Sequence, residues 1–218
     1  MKVLVIGSTG GSGRAVVARL LSEGHEVTAF SRRGDRLGID SDRLRTFSGD
    51  ALEPADVARA VEGHDAVVVT LGISENPLRV RLLGPRRTPL DVRSRGTRNV
   101  ISAMRAHGLR RLVVLTSYGV GATQGRLRFV DRLFFSLLLR PQIRDTEIQN
   151  QDVIESRLDW VIAQPVHLTD TDEDAVPFMS TEGETARMQV SRKSVARFLA
   201  DAVDSPRFVR QTVALSGN

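Results

Sequence analysis

Short apolar runs that end in glycine alternate along this chain with stretches whose apolar residues recur every three to four positions. Lys2 to Ile6 reads as a buried strand running into glycine. Gly11 to Ser22 carries Val16, Val17, Leu20 and Leu21 at helical spacing, and Gly24 stops that helix. His25 to Ser31 is a second strand and Leu44 to Ser48 a third, followed by a Gly49-Asp50 turn. Pro54 opens a short helix through Val61. Ala66 to Leu71 is an apolar fourth strand, as expected for one covered on both faces. Residues 73–90 read as a loop, Val92 to His107 as a helix ended by Gly108, and Leu112 to Thr116 as a fifth strand.

The second half is less regular. Leu127 to Leu139 predicts an apolar helix and Arg144 to Ser156 another. Trp160 to Ala163 is a sixth strand closed by Pro165. Residues 169–176 are an acidic loop, Ser194 to Val203 a helix and Thr212 to Leu215 a last strand. Alternation of strands and helices predicts an α/β fold with a parallel sheet and right-handed crossovers. Residues 1–218 are expected to form one domain, with a small C-terminal lobe over roughly 164–218 shaping a substrate pocket.

Composition narrows the chemistry. The chain has no cysteine, which removes disulfides, thiolate metal sites and cysteine nucleophiles. Its four histidines, at 25, 64, 107 and 167, lack metal-ligand spacing. Val3 to Ile6 is too short for a signal core or a membrane span, so a cytoplasmic protein without a membrane partner is expected. The net charge is +5, and arginines crowd positions 79 to 98. No aromatic residues interleave with them as a stacking surface would need, so they read as a solvated face rather than a nucleic-acid site.

The informative stretch is Gly7-Ser8-Thr9-Gly10-Gly11-Ser12-Gly13, between the first strand and the first helix. Gly7 permits a tight turn out of the strand. Gly10 lets the backbone approach a pyrophosphate, and Gly13 lets the helix pack close to the sheet. The helix N-terminus offers free N–H groups and partial positive charge to phosphates. This pattern predicts a dinucleotide site in a Rossmann-type, doubly wound sheet. The second strand ends Ser31-Arg32-Arg33, where an acidic residue would favour NAD and a guanidinium suits the 2′-phosphate of NADP. NADP(H) is therefore expected over NAD(H). Asp50, next to Ala51, is placed to accept from an adenine amino group or to serve the turn. Leu71-Gly72 would let the chain pass close to the cofactor ribose.

With Gly24-His25-Glu26-Val27, Gly63-His64-Asp65-Ala66, Gly96-Thr97-Arg98-Asn99-Val100-Ile101, Leu112-Val113-Val114-Leu115-Thr116-Ser117 and Gln164-Pro165-Val166-His167, these residues resemble the atypical short-chain dehydrogenase/reductase superfamily. The similarity is to its NAD(P)H-binding group, over nearly the whole chain. The Gly7–Gly13 stretch and Gln164-Pro165-Val166-His167-Leu168-Thr169-Asp170 together look like the branch of flavin reductases and biliverdin reductase B. The resemblance implies NADPH-dependent hydride transfer to a flat conjugated small-molecule acceptor. The chain departs from the Tyr-x-x-x-Lys pair of better-known members, because its single tyrosine, Tyr118, is followed four residues later by Ala122. Thr146 and Asn150 stand roughly where related proteins carry a lysine and a glutamate.

Candidate catalytic residues are Ser117 and Tyr118. Ser117 would hydrogen-bond the substrate or nicotinamide, or else cap the strand end. Tyr118 would act as an acid, or else pack. Thr116, Pro165, Val166 and His167 are expected around the nicotinamide, with a structural role open for His167. The rival reading is a non-catalytic NADP(H) sensor of the NmrA-like kind, supported by the missing Tyr-Lys pair. A weaker one is an RNA-associated protein using residues 79–98.

Overall fold

The computed structural model describes residues 1–33, 37–73, 88–126 and 140–218. Its elements begin β1 (Lys2–Ile6), α1 (Gly11–Ser22), β2 (Glu26–Ser31), β3 (Leu44–Ser48), α2 (Pro54–Val61), β4 (Ala66–Val69), α3 (Val92–Ala106) and β5 (Arg111–Leu115). After a short 3-10 turn at Gly121–Arg126 come α4 (Arg140–Glu155), β6 (Asp159–Pro165), β7 (His167–Thr169), β8 (Phe178–Ser180), β9 (Gln189–Ser191), α5 (Arg192–Asp204) and β10 (Gln211–Ser216). The main sheet runs β3-β2-β1-β4-β5-β6-β10-β8, and all its pairs are parallel except β10 with β8. This is the expected Rossmann-like α/β architecture.

Strand alternation explains why the sheet is covered twice. Val3 and Val5 pack with Val16, Val17 and Leu20 of α1 and with Val195 and Leu199 of α5. Leu4 and Ile6 point the other way, into Val57 and Val61 of α2 and Val100 and Met104 of α3. Each such side chain, fully withdrawn from water, contributes about 1.5–3 kcal/mol. Polar caps fix the helices against this core. Ser191 Oγ accepts the Ser194 N–H at 2.9 Å and starts α5. The Asp145 carboxylate, borrowed from α4, accepts the N–H groups of Arg93 at 3.0 Å and Ser94 at 3.1 Å and so starts α3.

Several boundaries differ from the sequence reading. β4 ends at Val69 rather than Leu71, because the Thr70 hydroxyl turns onto the Ile6 and Gly7 carbonyls at 3.0 and 3.3 Å and the chain leaves the sheet. β6 continues through Pro165, which pairs with Leu215 of β10. α4 begins at Arg140, with a proline in its first turn, where a missing N–H costs little. The three-residue strands β7, β8 and β9 carry too few positions for a periodic signal. The predicted helix at 127–139, most of the loop at 73–90 and Arg79, Arg81, Arg86 and Arg87 lie outside the described residues. Among those described, no helix is long and apolar enough to cross a membrane, and no cluster of potential metal ligands occurs.

Candidate functional site

The site begins where β1 enters α1. Gly7 has φ +88°, and a Cβ there would stand 2.9 Å from the Thr70 carbonyl oxygen. A Cβ on Gly13 would stand 2.3 Å from the Gly7 oxygen and 2.8 Å from Thr70 Oγ1. These two glycines are therefore required by the fold itself. Gly10 is different. Its backbone is extended (φ −72°, ψ 159°), and its nearest neighbour to an added Cβ is the Gly7 oxygen at 3.5 Å, an ordinary contact. Nothing among the described residues collides with a side chain at that position.

The hydrogen bonds of the loop sort its residues. The N–H groups of Gly7 and Ser8 both donate to the Phe30 carbonyl, at 3.0 and 3.2 Å, and Gly10 donates to Gly7 at 3.1 Å. The Ser8 hydroxyl also donates to Phe30, at 3.1 Å, and the side chain is fully buried. Ser8, expected at the cofactor, thus ties the loop to β2. Thr9, Gly10, Gly11 and Ser12 remain at the surface or partly exposed. α1 has no side-chain cap and no acid in its first turn, which leaves its leading N–H groups directed outward. An uncapped helix N-terminus beside an open Gly10 fits a pyrophosphate.

Around this loop, β2 delivers Ser31, Arg32 and Arg33. Ser31 is buried and its Oγ accepts the Arg33 N–H at 3.3 Å. Arg32 is exposed, and its Nη2 donates to Thr88 Oγ1 at 3.1 Å. Asp50 serves its turn, accepting the Leu52 N–H at 3.0 Å through Oδ1, while its own N–H goes to Asp56. That bond and the Arg59 guanidinium hold the Asp56 carboxyl below its ordinary range. Ala51 is buried, and its carbonyl accepts from Asn99 Nδ2 at 2.9 Å. Asn99 is a positioning residue the sequence reading missed. Leu71 and Gly72 follow β4. Gly96 of α3 lets that helix close on Leu71, whose Cδ1 would lie 2.5 Å from a Cβ there.

The ends of β5 and β6 supply the remaining candidates. Thr116 is buried and donates its N–H to Ala163 at 2.9 Å. Ser117 is half-buried, and its hydroxyl makes no hydrogen bond among the described residues. Tyr118 is buried, and its hydroxyl donates to the Gly183 carbonyl at 2.8 Å. Burial pushes its pKa above the usual phenol value. The proton that an acid would give away is thus engaged inside the protein, which is the packing alternative. Pro165 and Val166 are buried beside it, the Pro165 carbonyl accepting the Tyr118 N–H at 3.0 Å. His167 is exposed at the start of β7.

Two polar groups here were not among the expected site residues. Gln164 is fully buried, donates to Val120 at 2.9 Å and accepts from Thr123 Oγ1 at 2.8 Å, fixing the turn after Tyr118. Arg93 reaches back from α3, donating through Nε to Leu71 at 3.3 Å and through Nη1 to Thr146 at 3.0 Å. Burial lowers its pKa, and Asp145 opposes that shift. Thr146 therefore receives an arginine from a neighbouring helix. The Asn150 Oδ1 is buried without a partner among the described residues.

Known proteins share this fold. A short-chain dehydrogenase/reductase from Veillonella parvula, solved in complex with NADP, superposes with a TM-score of 0.80 at 18% identity, over 100% of this chain and 94% of that one. The oxidoreductase ylbE of Lactococcus lactis gives 0.81 at 17%, over 100% and 91%. ChuY, an anaerobillin reductase of Escherichia coli O157:H7, gives 0.76 at 21%, over 99% and 97%. A 3-beta-hydroxysteroid dehydrogenase of Mycolicibacterium neoaurum is 40% identical over 72 residues, which is 33% of this chain and 19% of that protein. At the level of whole families, a model described as NAD(P)H-binding matches residues 7–206, and the chain belongs to that NAD(P)H-binding family.

Proposed function

We propose that this protein is an NADPH-dependent reductase that delivers a hydride to a planar conjugated acceptor of the flavin, quinone or tetrapyrrole kind. The observation that carries the reading is the Ser117 hydroxyl. It is half-buried at the C-terminal end of β5, uncommitted among the described residues, and set where open sheets of this type bind ligands. The fold shared with an anaerobillin reductase and an oxidoreductase supports the same direction.

The bound nicotinamide would supply the hydride chemistry, and the chain supplies position. Gly10, Gly11 and the first turn of α1 would hold the pyrophosphate. Arg32, with Arg33, would pair with the 2′-phosphate, which is the basis for preferring NADP(H). Pro165 and Val166 would wall the nicotinamide end, and Ser117 would orient the acceptor by a hydrogen bond. Tyr118, with its hydroxyl on Gly183, positions the turn rather than donating a proton. The acceptor would then take its proton from solvent, as a flavin or quinone can.

The engaged Tyr118 hydroxyl also favours a second reading, a cofactor-binding sensor without turnover. One experiment separates them: NADPH and NADH oxidation followed at 340 nm against flavins, quinones and linear tetrapyrroles. Turnover of any such acceptor with NADPH preferred supports the reductase. Tight NADPH binding with no turnover across the screen supports the sensor and sinks the reductase.

A further inference from the structure

Arg192 is the first residue of α5, yet its side chain lies across the first residue of α1. A Cβ on Gly11 would stand 3.0 Å from Arg192 Nε and 3.2 Å from its Cδ. The guanidinium thus rests one residue from Gly10, the glycine the fold itself does not require. Its Nη1 meets Asp170 Oδ1 at 2.5 Å.

Positive charge gathers at this end of the two helices, with surface carboxylates on its outer side. Helix N-termini carry partial positive charge, and neither α1 nor α5 has an acidic residue in its first turn. Arg192 adds a full positive charge to that region, and the adjacent Lys193 is occupied by Asp172 at 2.6 Å. The 170–174 segment meets part of that charge, with Arg197 Nη1 donating to the Asp174 carbonyl at 3.1 Å. The anion now present on Arg192 is the Asp170 carboxylate, whose side chain is 84% exposed. A carboxylate so hydrated holds its partner weakly. A phosphate accepts the guanidinium fork in the same planar, two-pronged way and brings more charge.

We propose that Arg192 is a binding residue for the cofactor's pyrophosphate, and that it exchanges the Asp170 carboxylate for a phosphate oxygen when the dinucleotide enters. The inference rests on the dinucleotide reading of the glycine loop. It adds a consequence for specificity: pyrophosphate is common to NADH and NADPH, so Arg192 strengthens both equally, whereas Arg32 strengthens one.

The test is titration of the full-length protein with NADPH, NADH and adenosine 2′-monophosphate, following nucleotide fluorescence or heat. Arg192→Ala should weaken both dinucleotides by the same factor, about tenfold or more, and leave adenosine 2′-monophosphate unchanged. Arg192→Lys should fall between, because an ammonium keeps the charge and loses the fork. Asp170→Asn should tighten both dinucleotides by up to about fivefold, since the internal competitor is gone. Unchanged dinucleotide affinity in Arg192→Ala, or a loss confined to NADPH, overturns the assignment while leaving the dinucleotide site standing. Weaker binding in Asp170→Asn overturns the exchange. A wild-type protein that binds neither dinucleotide takes both readings down together.

Discussion

The hydroxyl of Tyr118 donates to the carbonyl of Gly183 at 2.8 Å, tying the end of β5 to a turn 65 residues further along the chain. Gly183 lies at φ +80°, so the bond fixes a turn that has few alternatives. A phenol held this way, with its pKa raised by burial, does not ionise near neutrality. Tyr118→Phe should therefore keep reductase activity within about tenfold, because a positioned proton donor would be worth ~10²–10⁴. It should lower stability by about 1 kcal/mol, the net worth of one hydrogen bond. Steady-state rates and a denaturant melt measure both. A collapse in turnover with NADPH affinity intact would restore Tyr118 to the catalytic set.

Arg32→Ala addresses cofactor choice. Arg32 stands exposed at the end of β2 and donates to Thr88. A charge-assisted contact with the 2′-phosphate is worth about 1.5–3 kcal/mol, so NADPH should bind roughly tenfold more weakly or worse. NADH, which lacks that phosphate, should bind as before. Equal losses for the two would assign Arg32 to contacts within the protein rather than to the 2′-phosphate.

What could be read from the sequence follows from how local each signal is. The strand–glycine–helix passage at 2–22 is written in contiguous residues, and the tight turn read at Gly7 and the close packing read at Gly13 appear as collisions that a Cβ would make there, whereas Gly10 shows none. The open Tyr118 alternatives resolve only through Gly183, a partner no local pattern names. Asn99, Gln164, Arg93 and Arg192 were missed for the same reason. Each acts on a segment at least 22 residues away, on Ala51, Val120, Leu71 and Asp170 respectively, and nothing near it in sequence announces the contact. The short strands are held by distant partners, β8 by β10 and β7 and β9 by each other, with the Gly217 N–H donating to Gln189 at 2.8 Å.

His64 gives the fold a pH dependence. Its Nδ1 sits against the carbonyls of Val61 and Glu62 at 3.3 and 3.1 Å, and Nε2 lies 2.8 Å from Thr28 Oγ1. One tautomer satisfies all of this: Nδ1–H donates and Nε2 accepts from the threonine hydroxyl. Burial is the main reason its pKa is lowered below the ordinary histidine value. A folded-state pKa below the unfolded one means that the unfolded chain binds the extra proton more readily. Stability is then fully present above about pH 6.5, and is lost as the pH falls through the lowered folded value. Urea midpoints at pH 7.5 and 5.5 should show this decline, and His64→Gln should flatten it. An equal decline in the variant would place the effect on other groups.

The glycine loop allows the sharpest separation of fold from function. A Cβ on Gly13 would press to 2.3 Å from the Gly7 oxygen, a backbone atom that cannot swing aside. Gly13→Ala should therefore push α1 off β1 and cost about 1–3 kcal/mol or more through strain in the packed core. Cofactor affinity should fall along with stability. Gly10→Val meets no such barrier, since the nearest atom to its Cβ is 3.5 Å away and the backbone there is extended, which a branched residue accepts. Its thermal midpoint and far-ultraviolet circular dichroism should stay near wild type. Its two methyl groups would nevertheless stand where a pyrophosphate must come to reach the N–H groups of α1, so NADPH and NADH binding should both vanish. The contrast between the two variants is the decisive reading: stability lost at Gly13, affinity alone lost at Gly10. A folded Gly10→Val protein that still binds NADPH would mean that the dinucleotide does not lie on this loop.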